Sequence, residues 1–155
     1  MIGLGSFFSS NDSLLDSLPP PDAVDNIDNS KPFLVMLTTG DEDGGKRATL
    51  AFSAACSSMA MESPTSVFLV GDGTHWAYTS NIKGVRVSGF PTLYELMEAF
   101  MDLGGTITIC STCSISGSCT ITPGSAPREH IMPNIKQEGF TSVISVAKQG
   151  SSLTF

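Results

Sequence analysis

At 155 residues the chain is one domain's worth, long enough to bury about two-thirds of the surface its unfolded form exposes, so neither disulfides nor a structural metal is needed for folding. Fifteen acidic residues against eight scattered basic ones, a net charge of −7, exclude the electrostatic footprint of a nucleic-acid or anionic-membrane partner. No apolar run reaches the roughly 18–20 residues a membrane span requires.

Charged residues make up only 15 % of the chain and hydrophobic ones 41 %. That is a low charged fraction for a monomer's surface, so a homo-oligomer is expected. Met1–Ser10 lacks the basic region and long apolar stretch of a secretory signal. A cytoplasmic location follows as an expectation, with four cysteines kept as free thiols.

Residues 1–31 read as a flexible tail. Pro19-Pro20-Pro21, several aspartates and many Ser and Asn residues bury too little to offset the entropy of ordering. Phe7, Phe8, Leu14 and Leu15 can still dock on the domain or on a neighbouring subunit. The folded domain is expected over 32–155.

Phe33–Thr38 is a short, continuously apolar run, as in a parallel strand covered on both faces. Gly40–Gly45 is a loop with three carboxylates. Lys46–Met61 is rich in Ala, Met and Leu and reads as a helix, with Leu50, Ala54, Ser57 and Met61 on one face. Ser66–Val70 is a second strand, closed by Gly71-Asp72-Gly73. Residues 74–91 read as irregular. Thr92 caps a second helix with Glu95 in the capping-box position, and Leu93, Leu96, Met97 and Phe100 form its core stripe. Thr106–Cys110 is a third strand, followed by a polar loop. Ile131–Ile135 is the expected fourth strand, Thr141–Gln149 a last helix with Val143, Val146 and Ala147 inward, and Ser151–Phe155 a closing strand. The alternation implies an α/β fold, a parallel sheet with helices on both faces. Functional loops in such sheets lie beyond the carboxyl ends of the strands, here 39–45, 71–76 and 110–119.

The strongest chemical signal is Cys110-Ser111-Thr112-Cys113, with Cys119 further on. A thiol at a strand end, with a second one three residues away, can form a mixed disulfide or persulfide that the neighbour resolves. Ser-rich, Gly-containing 111–119 argues against a helix after it. Small polar neighbours should let solvent reach Cys110, and Lys46 or His75 can depress its pKa. His75 can also serve as a base beside a thiol, with Trp76 walling the pocket; both residues can equally be packing. Cys110, Cys113, Cys119 and His130 supply the N/S donors of a zinc site, but no second paired-ligand motif accompanies them. Cys56 reads as core. The acidic Gly40–Gly45 loop matches no phosphate-binding pattern. No cofactor or metal is expected.

The strand and helix starting at Phe33 and Arg47-Ala48-Thr49-Leu50-Ala51, with Val67–Gly73, Leu103–Cys110 and Ser151–Phe155, together resemble the DsrE/DsrF-like, TusD-related sulfur-relay family over about residues 33–155. The resemblance implies a three-layer α/β/α sandwich with a mainly parallel five-stranded sheet, and trimers or hexamers. It also implies that a cysteine just after the third strand, matched by Cys110, accepts sulfur as a persulfide and passes it to a partner protein. Two functions follow as expectations. One is a sulfur carrier or sulfurtransferase using Cys110, with Cys113 to resolve the adduct and His75 to assist. The other is a non-catalytic oligomeric module binding a small ligand between the three loops.

Overall fold

The protein, studied as a computed structural model, is described over residues 28–116 and 131–155. Three of its strands are the apolar runs of the sequence: β1 (Phe33–Leu37), β2 (Thr65–Leu69) and β3 (Thr106–Cys110). β4 (Lys136–Glu138) and β5 (Ser151–Thr154) complete one sheet in the order β4-β3-β2-β1-β5, every pair parallel. The inner strands are apolar because they are covered on both faces; the two outer strands are short and polar, as exposed sheet edges tend to be.

α1 (Lys46–Ala60) and α3 (Leu93–Asp102) pack side by side on one face, with the short α2 (Thr79–Ile82) between them in sequence. α4 (Ser111–Ser116) follows β3 directly, and α5 (Phe140–Gln149) precedes β5. The chain steps from β1 to β4 in one direction across the sheet and then returns past β1 to β5. With right-handed crossovers this reversal sends α5 to the opposite face. The result is the three-layer α/β/α sandwich with a parallel five-stranded sheet. No helix among the described residues is long and apolar enough to cross a membrane.

Strand alternation divides the core in two. Val35, Leu37, Val67, Leu69, Ile107 and Ile109 point toward α1 and α3. Leu34, Phe68 and Cys110 point the other way and meet Val143 of α5, with Val146 and Ala147 packed beside it. α3 behaves as its sequence says. Glu95 Oε2 accepts from the Thr92 N–H at 2.8 Å, the Glu95 N–H donates back to Thr92 Oγ1 at 3.3 Å, and Leu93, Leu96, Met97 and Phe100 are buried.

α1 turns its expected apolar stripe outward. Leu50 and Met61 are 46 % and 45 % exposed, whereas Ala48, Ala51, Phe52 and Ala55 are buried. Small Ala side chains let the helix lie close to the sheet, and Phe52 fills the space by meeting the Phe100 ring edge-on at 6.1 Å. The fourth strand also lies later than expected. Ile131 makes an isolated antiparallel bridge to Tyr78 and Met132 is buried, while the ladder with β3 is formed by Lys136–Glu138.

Candidate functional site

β3 delivers Cys110 to the carboxyl edge of the sheet on the α5 face, and α4 starts at the next residue. The polar loop expected at 111–116 is therefore a helix, and Cys110 occupies the position that caps it. The backbone N–H groups of Thr112 and Cys113 donate toward the Cys110 sulfur, the pattern by which an N-cap side chain satisfies the first turn. This capping geometry and the burial of Cys113 offset the weak helix propensity of a Ser-rich segment.

The two thiols are neighbours, and both are free. Cys110 is fully buried and Cys113 is 7 % exposed, packed with Leu34, Phe68 and Val143. Solvent access to Cys110, expected from its polar sequence neighbours, is not found: it belongs to a buried cluster with Leu34, Phe68, Cys113 and Val143. Burial pushes the Cys110 thiol above its ordinary range, and the adjacent Cys113 thiol pushes it further; the Cys113 and Thr112 N–H groups pull it back without outweighing burial. Neither Lys46 nor His75 is among the groups that set it.

A raised pKa makes thiolate scarcer at neutral pH than in a free cysteine. Alkylation of Cys110 by iodoacetamide, followed by peptide mass mapping, should thus be slower than for glutathione at pH 7. The midpoint of its pH–rate curve should lie above about pH 8.5, the midpoint for a free thiol. A plateau at lower pH would show that the N–H donors outweigh burial.

His75 lies half-buried in a 3₁₀ segment, Gly71–Ala77, which packs along β3 and α4. Its ring meets Trp76 edge-on at 4.7 Å. The Asn81 amide donates to the His75 carbonyl at 2.8 Å and faces Nδ1 at 3.4 Å. No hydrogen bond between His75 and either thiol is found among the described residues. Trp76 is not a pocket wall: it is 1 % exposed, belongs to the core on the α1 and α3 face, and donates its indole N–H to the Thr39 carbonyl at 2.8 Å. That bond, with the Gly73 N–H to the Thr38 carbonyl at 3.2 Å, ties the 71–77 segment to the loop after β1.

The N-terminus of α1, where a phosphate would sit in other α/β folds, is already occupied by the protein's own carboxylate. Asp43 accepts from the N–H groups of Gly45, Lys46 and Arg47 at 3.0, 3.1 and 3.0 Å. Cys56 is half-buried, and its Sγ donates to the Leu96 carbonyl at 3.5 Å. Cys119 and His130, two of the four zinc donors considered from sequence, lie outside the described residues. Among the described residues no three His, Cys, Asp or Glu side chains are grouped to hold a metal ion.

No protein-family model matches the chain, and no curated protein does. Among solved structures the chain is similar to the YchN protein of E. coli, with a TM-score of 0.56 and 13 % identity over 81 % of this chain and 99 % of that one. At that identity the likeness is one of fold.

Proposed function

We propose that the protein handles sulfane sulfur, with Cys110 accepting it as a persulfide and Cys113 resolving the adduct. The observation that carries this reading is the pair of free thiols buried in one cluster at the end of β3, with the Thr112 and Cys113 N–H groups beside the first sulfur lowering its pKa against burial. Those donors stabilise negative charge on Cys110, which both the attacking thiolate and the persulfide anion need. Burial serves a carrier: it keeps stray thiols away from a bound sulfur atom. α4 is a helix of six residues, and its local opening would provide the donor's route. His75, on the adjoining segment, is the side chain available to take the thiol's proton once α4 shifts.

The full-length chain carrying Cys113→Ser, in which the adduct cannot be resolved, should gain one sulfur atom in intact mass, on Cys110, when incubated with inorganic polysulfide. If no gain appears at any cysteine, the second reading takes its place: a ligand-binding module of the same fold, favoured by the complete burial of Cys110.

The protein is further proposed to work as a homo-oligomer. Leu103, Phe140 and Ile144 are about half exposed, and the Phe140 ring meets the buried Phe68 edge-on at 5.5 Å with its other side left open. Velocity sedimentation at micromolar concentration should show a multiple of the chain mass; a single monomeric species would refute the assembly.

A further inference from the structure

An open groove of about 440 Å³ lies at the opposite edge of the sheet from the thiols, between the outward face of α1 and β5. Phe33, Ala54, Met61 and Leu153 give it an apolar floor, and Asp28 and Asn29 form part of its lip. Met61 and Leu153 are 45 % and 47 % exposed, and all four residues of β5 are exposed along the sheet edge. This is the apolar stripe of α1 that the core does not use.

We propose that the groove is the seat of the chain's own segment ahead of Asp28, through Val24 and Ile27. Twenty-seven residues precede the first described residue, Asp28, which itself lines the groove. Ile27 adjoins Asp28. Val24 is four residues away, within about 14 Å even when fully extended. Between Pro19-Pro20-Pro21 and Asp28 these two are the large apolar side chains, set three residues apart in an otherwise small and polar stretch. Asp28 is already fixed as part of a turn, with its carboxylate accepting from the Ser30 N–H at 3.1 Å and its carbonyl from the Lys31 N–H at 3.4 Å.

A second observation points the same way. Asn29 Oδ1 is buried at the lip and has no hydrogen-bond partner among the described residues. An acceptor in that state calls for a donor, and the backbone N–H groups of a seated segment supply one. Tethering makes this docking intramolecular, so even a small apolar contact outcompetes a free peptide or a second copy.

The test uses the full-length chain with Val24→Asp and Ile27→Asp together, substitutions outside the folded core. Met61 oxidation by dilute hydrogen peroxide, followed by peptide mass, should become several-fold faster in this variant than in the parent. A Met61→Asp chain should melt at lower temperature than the parent, and adding the two upstream substitutions should lower it no further, because both break the same contact. Equal Met61 oxidation in parent and variant, or additive losses in melting temperature, would overturn the proposal. So would a Met61→Asp chain that sediments as a smaller species while the upstream variant does not, because a second copy would then be the occupant.

Discussion

Replacing Cys110 by Ser should abolish sulfur uptake from polysulfide while leaving the fold intact. The chemistry requires a thiolate at that position: it attacks a sulfane sulfur of the donor, the donor's S–S bond breaks, the remainder leaves as an anion, and Cys110 is left as a persulfide. Serine cannot do this. Its oxygen can nevertheless accept from the Thr112 and Cys113 N–H groups, and Ser is among the best capping residues, so α4 keeps its start. Cys113→Ser should have the contrasting outcome. In the parent, the Cys113 thiolate attacks the Cys110 sulfur, hydrosulfide leaves, and a Cys110–Cys113 disulfide remains until an external dithiol reduces it. Without Cys113 that exit is closed, so the persulfide should persist and accumulate. Intact mass before and after a dithiol quench separates the persulfide, one sulfur heavier, from the disulfide, two hydrogens lighter. If the added sulfur maps to Cys56 or Cys119 while Cys110 stays unmodified, the carrier reading fails and the binding-module reading replaces it.

The sequence made local features legible and left distant coverage obscure. β1 is a continuous apolar run, β2 and β3 are short runs rich in β-branched and apolar residues bounded by turn residues, and the α3 cap needs only Thr92 and Glu95. The outward stripe of α1 misled because Leu50 and Met61 are the larger apolar residues, whereas helix–sheet contact selected Ala48, Ala51 and Ala55 for their small size. α4 was hidden by its Ser content; what holds it is a thiol cap and the tertiary burial of Cys113. The position of Cys110 at the end of β3 was readable from the run before it. Its burial was not, because the cluster it joins is assembled from distant parts of the chain, Leu34, Phe68 and Val143 among them. Trp76 was ambiguous for a similar reason: local sequence placed it near the carboxyl edge of the sheet but did not reveal which face it packs on.

Gly73→Ala should be the most damaging single-methyl change in the described fold near the site. Gly73 is buried, and a Cβ there would overlap the Leu37 carbonyl oxygen, a backbone atom in β1 that cannot step aside as a flexible side chain would. Accommodating the methyl means lifting the 71–77 segment off the end of β1. That movement stretches the Gly73 N–H bond to the Thr38 carbonyl and the Trp76 indole bond to the Thr39 carbonyl, and it draws a large buried ring out of the core. Overpacking of this kind costs about 3 kcal/mol at its upper end, which in a domain of this size lowers the melting temperature by about 6–12 °C. The same segment packs along β3 and α4, so the disturbance should reach the thiols: Cys110 should alkylate faster in Gly73→Ala than in the parent, because α4 opens more often. Thermal melting and the pH 7 alkylation rate, measured on the same preparation, test both halves of the argument. A melting temperature within a degree or so of the parent would mean that the 71–77 segment is not clamped on β1. A large loss of stability with an unchanged alkylation rate would mean that α4 opens independently of it.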